Sequence, residues 1–204
     1  MRANRIAILI SGRGSNMASI LERRSSIDAD FVGVLSSDAK APGLETARSF
    51  GVPTAVVDPR VWPVRDQYDD ALAEQLDTWG ANLIVLAGFM RILTDGFVER
   101  YQGRILNIHP SLLPAFAGLH PQRKAIRAGV KLSGCTVHFV APGPVDSGPI
   151  AAQAAVAVFA GDNEETLAAR ILEQEHQLFV ATLRRIVNGE LELVNDRVVE
   201  RATR

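Results

Sequence analysis

Ile6-Ala7-Ile8-Leu9-Ile10-Ser11-Gly12-Arg13-Gly14-Ser15-Asn16 is the stretch on which the reading of the fold turns. Ile6 to Ile10 is a continuous β-rich apolar run, as expected of a strand buried on both faces, and Ser11-Gly12-Arg13-Gly14 ends it in a tight turn. Ser15-Asn16 then precede a helical pattern through Ile20 and Leu21, so the unit is strand, turn, helix. The alternation returns with Phe31 to Leu35 followed by Gly43 to Phe50, and with Thr54 to Val57 followed by a helix from about Val64 to Trp79. Leu83 to Ala87 and Arg104 to His109 add a fourth and a fifth strand. Strands this apolar predict an α/β fold, a single-domain, mostly parallel twisted sheet with helices on both faces.

The C-terminal half changes character. Thr136 to Val140 and Ile150 to Val158 are strand-like and separated only by the loop from Ala141 to Pro149, too short for a helical crossover, so antiparallel additions to the sheet are expected there. A long helix is expected from Asp162, with Glu165 completing a capping box, to about Asn188-Gly189. Leu191 to Val199 predict a short terminal hairpin around Asn195-Asp196.

Composition narrows the function classes. At 204 residues, with 47% hydrophobic and 22% charged, the chain is an ordinary globular one that a single core can organise. A formal net charge of −1 gives no basic footprint for nucleic acid, and no polybasic run seeks an acidic membrane. Cys135 is the only cysteine, which excludes an intrachain disulfide. The start, Met1-Arg2-Ala3-Asn4-Arg5, runs directly into a strand-like segment too short for a signal sequence, and no apolar run is long enough to span a bilayer. The cytoplasm is therefore the expected compartment, with small molecules rather than nucleic acid or membrane as partners.

Four groups of residues are candidates for chemistry. The Gly12-Arg13-Gly14-Ser15-Asn16 turn lets backbone approach a ligand and offers unpaired helix N–H groups to an anion such as phosphate; it also reads as a plain glycine turn with Ser15 as a helix cap. In Ile105-Leu106-Asn107-Ile108-His109-Pro110, the two-residue period puts Asn107 and His109 on one face at the carboxyl end of a strand, where ligands of such sheets bind. Asp146 lies in a loop stiffened by Pro142, Pro144 and Pro149. It either caps a turn or, packed beside His109, lifts that imidazole above about 6.5 and makes it a proton donor near neutral pH. Glu175 falls within the apolar stripe of Leu167, Ile171, Leu178, Phe179 and Ile186, so it requires an internal basic partner or a ligand pocket.

Two further segments border the same sheet edge. Arg65, aligned with Tyr68, Leu72, Leu76 and Trp79 on its helix, either reaches inward or lies in solvent at the helix start. Phe89-Met90-Arg91-Ile92-Leu93, directly after the fourth strand, is either packing or the wall of a pocket for a flat ring. The dispersed histidines and single cysteine supply no metal-ligand cluster, and the absence of Gly-x-Ser-x-Gly argues against a serine nucleophile.

Leu9 to Asn16, Leu86 to Leu93, Leu106 to Pro114, Val137 to Val140 and Val145 to Pro149 together resemble the folate-dependent glycinamide ribonucleotide transformylase family over nearly the whole chain. The resemblance implies one formyltransferase domain over residues 1–204, with acceptor-phosphate binding in the N-terminal half and folate binding and catalysis in the C-terminal half. It implies transfer of a formyl group from 10-formyltetrahydrofolate, a co-substrate, to the amine of a glycinamide ribonucleotide, without a metal, by a monomer or homodimer. Asn107, His109 and Asp146 match the family's catalytic trio. Gly14, Ser15, Asn16 and Glu175 match the acceptor site. Arg65, Met90, Arg91, Ile92, Leu93, Asn107, Val140, Ala141 and Val145 match the folate site. Ala141-Pro142-Gly143-Pro144 departs from the acidic residues often found there, and Gly118-Leu119-His120-Pro121-Gln122 lacks a second histidine after His120. The rivals are a 10-formyltetrahydrofolate hydrolase, a methionyl-tRNA formyltransferase and a non-catalytic nucleotide-binding module. The first two carry extra domains, and this chain begins at its first strand.

Overall fold

The structure, a computed structural model, describes residues 4–201; Met1 to Ala3 of the opening segment read above lie outside the described residues. In chain order the elements are β1 (Asn4–Ile10), α1 (Ser15–Glu22), β2 (Ala29–Ser36), α2 (Gly43–Ser49), β3 (Thr54–Val56), α3 (Arg65–Thr78), β4 (Leu83–Leu86), α4 (Asp95–Arg100) and β5 (Ile105–His109). The second half adds α5 (Pro121–Ala128), β6 (Leu132–Phe139), β7 (Ile150–Ala157), α6 (Glu164–Val187), β8 (Leu191–Val194) and β9 (Arg197–Glu200). The main sheet has the order β3-β2-β1-β4-β5-β6-β7. Its first five strands are parallel. β6 and β7 are antiparallel, as the short loop between them requires.

The apolar run of β1 feeds two cores. Ile6, Ile8 and Ile10 join Met17, Ile20, Phe179 and Leu183 on the α1 and α6 face. Ala7 and Leu9 join Tyr68, Leu72, Leu76 and Phe97 on the α3 and α4 face. Strand alternation thus gives β1 no solvent face, which is why it reads as continuous rather than alternating. A smaller cluster of Ala125, Cys135, Val156, Leu167 and Ile171 seats α5 against β6, β7 and α6. The order in which strands are added reverses between the parallel neighbours β1 and β4, so their carboxyl ends open the crevice where ligands of such folds bind.

Several expectations are corrected. α6 starts at Glu164, and its capping box is Asn163 with Thr166, not Asp162 with Glu165. Asp162 is engaged otherwise: it accepts the Phe159 N–H at 2.7 Å and pairs with Arg170 at 2.8 Å, closing the turn before the helix. Ser15 does not cap α1, because it is already helical; the cap position is Gly14 at φ 69°, with no side-chain cap. The helices α4 and α5 were not anticipated. α4 is too short to show a period and is announced only by Thr94, which accepts the Phe97 N–H at 3.3 Å. The hairpin lies where expected, with Asn195 and Asp196 at φ 49° and 58°, the left-handed pair that a two-residue turn demands.

Candidate active site

β5 delivers Asn107 and His109 two residues apart to its carboxyl end, and the β6–β7 loop delivers Asp146 onto them. Asp146 Oδ2 lies 3.1 Å from His109 Nδ1, and its Oδ1 accepts the Asn107 amide at 3.4 Å. The Asp146 and His109 side chains are only 7% and 8% exposed, so the contact is within the protein rather than across solvent. Asp146 adopts φ 60°, a left-handed conformation that Asp tolerates better than most residues, and the Gly118 N–H donates to its Oδ2 at 2.9 Å. The turn-cap alternative for Asp146 is therefore not what the structure shows. The loop closes tightly behind it: a Cβ on Gly148 would stand 1.8 Å from the Phe139 carbonyl oxygen.

A residue to which no role was attached completes the cluster. His138 stands directly opposite Asn107 in the β5–β6 register. Its Nδ1 lies 3.0 Å from the Phe139 carbonyl and its Nε2 lies 3.1 Å from the Asn107 amide nitrogen. His138 Nε2 also lies 3.7 Å from Asp146 Oδ1. The available signal was a histidine inside an apolar strand, at neither end of it. Gly118 and the Phe116 carbonyl act through backbone atoms and left no signal in side-chain identity.

The charge of this cluster differs from the expectation. Burial pushes the His109 imidazole below its ordinary value, outweighing the upward pull of Asp146 and of the Phe116 carbonyl. The predicted lift by Asp146 exists but loses to desolvation. Burial also pushes the Asp146 carboxyl up, but His138, the Gly118 N–H and His109 prevail and hold it below the ordinary carboxylate range. His109 Nε2 lies 3.1 Å from the Phe116 carbonyl, so both ring nitrogens face acceptors. A neutral ring satisfies one of them and an imidazolium satisfies both.

On the α1 side, Asn16 and Glu175 meet. Asn16 Nδ2 donates to Glu175 Oε2 at 2.8 Å, and the two residues are 8% and 6% exposed. Glu175 therefore has an amide rather than a base as its partner, and burial raises its carboxyl above the ordinary range. Asn16 Oδ1 is buried without a hydrogen-bond partner. Beside it, the start of α1 has neither a side-chain cap nor an acidic residue in its first turn, which leaves an attractive field for an anion.

On the other side, the loop after β4 is tied to the loop after β1 by Met90 N–H to Ser11 Oγ at 2.7 Å. Met90, Ile92 and Val145 present exposed apolar side chains from two loops, while Leu93 and Val140 pack partly into the α3 core. The Ala141 loop is held by Gly143 N–H to Asp95 Oδ1 at 2.9 Å. Arg65, the first residue of α3, is exposed and donates to the Ile92 carbonyl at 3.2 Å; it spans the surface instead of reaching into the core. Arg91 lies over the Tyr68 ring, 5.9 Å from its centroid. His120, at the α5 cap, pairs with Glu164 at 3.5 Å on the surface.

Residues 4–183 match the family described as formyl transferase. Over 190 residues the chain is 42% identical to the phosphoribosylglycinamide formyltransferase of Escherichia coli (strain K12), covering 92% of this chain and 89% of that protein. It is 45% identical over 196 residues to the trifunctional purine biosynthetic protein adenosine-3 of Drosophila pseudoobscura pseudoobscura, spanning 94% of this chain but only 14% of that relative's length. Among solved structures, glycinamide ribonucleotide transformylase 1 from Symbiobacterium toebii superposes with a TM-score of 0.94 at 46% identity, covering 98% of this chain and 95% of that one. With a family match across most of its length and a like architecture, the chain belongs to the formyl transferase family.

Proposed function

We propose that the protein transfers the formyl group of 10-formyltetrahydrofolate to the amine of 5-phosphoribosylglycinamide, in de novo purine biosynthesis. The observation that carries this reading is the contact of Asp146 with both Asn107 and His109 at the end of β5, between an anion-attracting helix start and an apolar loop wall. The names and full-length coverage of the bacterial relatives support it. The catalytic cluster and the β6–β7 loop come from the C-terminal half of one domain. The acceptor side draws on both halves, through Asn16 and Glu175.

Gly14, Ser15 and Asn16 receive the acceptor phosphate on the open end of α1. Glu175 takes the glycinamide end. Met90 to Leu93, Val140, Ala141 and Val145 form the wall for the folate ring, and Arg65 and Arg91 face its acidic end. The enzyme acts on small molecules in the cytoplasm, as a monomer or homodimer. Among the described residues no helix is long and apolar enough to cross a membrane.

The chemistry follows from the charge state of His109. The neutral acceptor amine attacks the formyl carbon, giving an oxyanion and a cationic nitrogen. Neutral His109 then takes the proton from that nitrogen and becomes the imidazolium, stabilised by Asp146 and by the new oxyanion. Collapse breaks the bond to the folate nitrogen, which receives the same proton. Asn107 supplies the second donor to the oxyanion: its 3.4 Å bond to Asp146 is at the limit of hydrogen bonding and is the contact the substrate replaces. One such donor is worth about 3 kcal/mol of barrier, roughly a hundredfold in rate. The rest of the site acts by holding two substrates in near-attack geometry.

The test is a formyl-transfer assay with glycinamide ribonucleotide beside a control without acceptor. Tetrahydrofolate is expected to form only when the acceptor is present. Equal release of formate in the control would make the protein a hydrolase and end this reading.

A further inference from the structure

The segment from Phe116 to Gly118 serves the catalytic cluster through backbone atoms alone. The Phe116 carbonyl faces His109 Nε2 at 3.1 Å, and the Gly118 N–H donates to Asp146 Oδ2 at 2.9 Å. Phe116, Gly118 and His120 all adopt positive φ, at 58°, 76° and 56°. For Phe and His that conformation is uphill, so it persists only where outside contacts hold it. Among the described residues, 116–118 make no backbone–backbone hydrogen bond. The remaining tie is Lys124, in the first turn of α5, whose Nζ donates to the Ala117 carbonyl at 2.7 Å. The same ammonium lies against Gly118, 3.9 Å from where a Cβ on that glycine would stand.

The charge of Lys124 is not neutralised. Glu164 pairs with Arg123 at 2.8 Å and with His120 at 3.5 Å, and Lys124 has no carboxylate partner among the described residues. Four groups thus bear on the His109 ring: Asp146 from the β6–β7 loop, the Phe116 carbonyl, His138 from β6 and Lys124 from α5. Burial disfavours the imidazolium most, and His138 and Lys124 act in the same direction, against Asp146 and the carbonyl. Of the three side chains, Lys124 alone is exposed, so it can be replaced without opening the core.

We propose that Lys124 is a positioning residue for His109: its ammonium fixes the Phe116–Gly118 segment and sets an unneutralised positive charge beside the catalytic cluster. This rests on the reading of His109 as the base in formyl transfer, and goes beyond it by naming a residue outside the cluster that acts on that base.

The experiment compares wild type, Lys124→Met and Lys124→Arg, with folding checked by circular dichroism. Methionine keeps much of the side-chain length and loses both donor and charge, whereas arginine keeps both. The His109 ring is titrated by NMR in the ligand-free protein. Its midpoint is expected to lie higher in Lys124→Met by roughly 0.2 to 0.5 of a pH unit, the range of one solvent-screened charge. The acid limb of kcat/KM should move the same way, opposite to the shift expected for Asp146→Asn. Plateau kcat is expected to fall about three- to tenfold with both KM values within about twofold, because the contact orients the base and binds no substrate. Lys124→Arg should restore the midpoint and most of the rate. A midpoint in Lys124→Met at or below that of wild type, or an undiminished kcat, overturns the proposal. A loss of rate that Lys124→Arg does not recover overturns it too. Absence of transfer by the wild type overturns the formyl-transfer reading, while the His109 titration still decides whether Lys124 acts on the ring.

Discussion

His109 shows how burial sets the role of a residue. Its desolvation outweighs the nearby Asp146, so the imidazole stays neutral at a pH where an ordinary histidine has begun to protonate. A neutral base is active above its pKa and silent below it. The acid limb of kcat/KM is therefore expected below about 6.5. Asp146→Asn removes the upward pull, so that limb should move further toward acid while kcat falls by about a hundredfold or more, and His109→Ala should lose at least as much. A limb that moves upward in Asp146→Asn would refute the balance of forces described here. Glu175 presents the opposite sign. Burial raises its folded-state pKa above the ordinary 4.5, so the unfolded chain ionises first, and stability present below that value is lost as pH rises through the raised one. Glu175→Gln keeps an oxygen for the Asn16 amide but removes the charge. It should raise Tm at pH 8, by about 2–4 °C for each kcal/mol recovered, and close the gap near pH 4. The same variant should weaken acceptor binding. An equal Tm difference at both pH values would show that the effect is packing, not charge.

Elements were legible to the extent that their sequence pattern was set by the core. β1, β2, β4 and β5 are buried on both faces, and their runs from Ile6, Phe31, Leu83 and Ile105 announce them without help from neighbours. α4 and α5 escaped because neither is long enough for a period to emerge, although Pro121 at the first turn and Gly129 at φ 67° bracket α5 with ordinary start and stop chemistry. The start of α6 was misplaced by two residues for a competitive reason: Asp162 and Asn163 are both good caps, and Arg170 together with the Phe159 N–H claims the first. The reciprocal bonds of Asn163 and Thr166, at 2.9 and 3.0 Å, then fall to the second. Asn163→Ala should therefore cost about 1 kcal/mol, seen as a Tm lower by about 2–4 °C, whereas Glu165→Ala should leave Tm nearly unchanged. The reverse ranking in thermal melts would restore the capping box first read from the sequence.

At the scale of the whole molecule, the proposed acceptor and folate sites lie on opposite faces of the sheet and meet at the carboxyl end of β5. Asn107 and His109 could be read as neighbours from strand period alone, but their meeting with Asp146, and the position of His138 opposite Asn107, depend on register across β5 and β6, which no local pattern states. The same topology puts Asn16 and Glu175 on the α1 and α6 face and Arg65 on the α3 face, with no shared hydrogen-bond partner between the two groups among the described residues. Mutations on the two faces should therefore act independently. Asn16→Ala is expected to raise the acceptor KM by about tenfold or more, as loss of a hydrogen bond to a charged group would. Arg65→Gln should raise the folate KM up to about fivefold, as loss of an exposed ion pair would. In the double variant the losses in kcat/KM should multiply, leaving a coupling below about 0.5 kcal/mol. Asn107→Ala and His109→Ala share Asp146, so together they should cost far less than the product of the single losses. A coupling above about 1 kcal/mol between Asn16 and Arg65 would mean that the sheet transmits one site to the other, and that the two substrates are bound by one cooperative unit rather than by two faces meeting at a common edge.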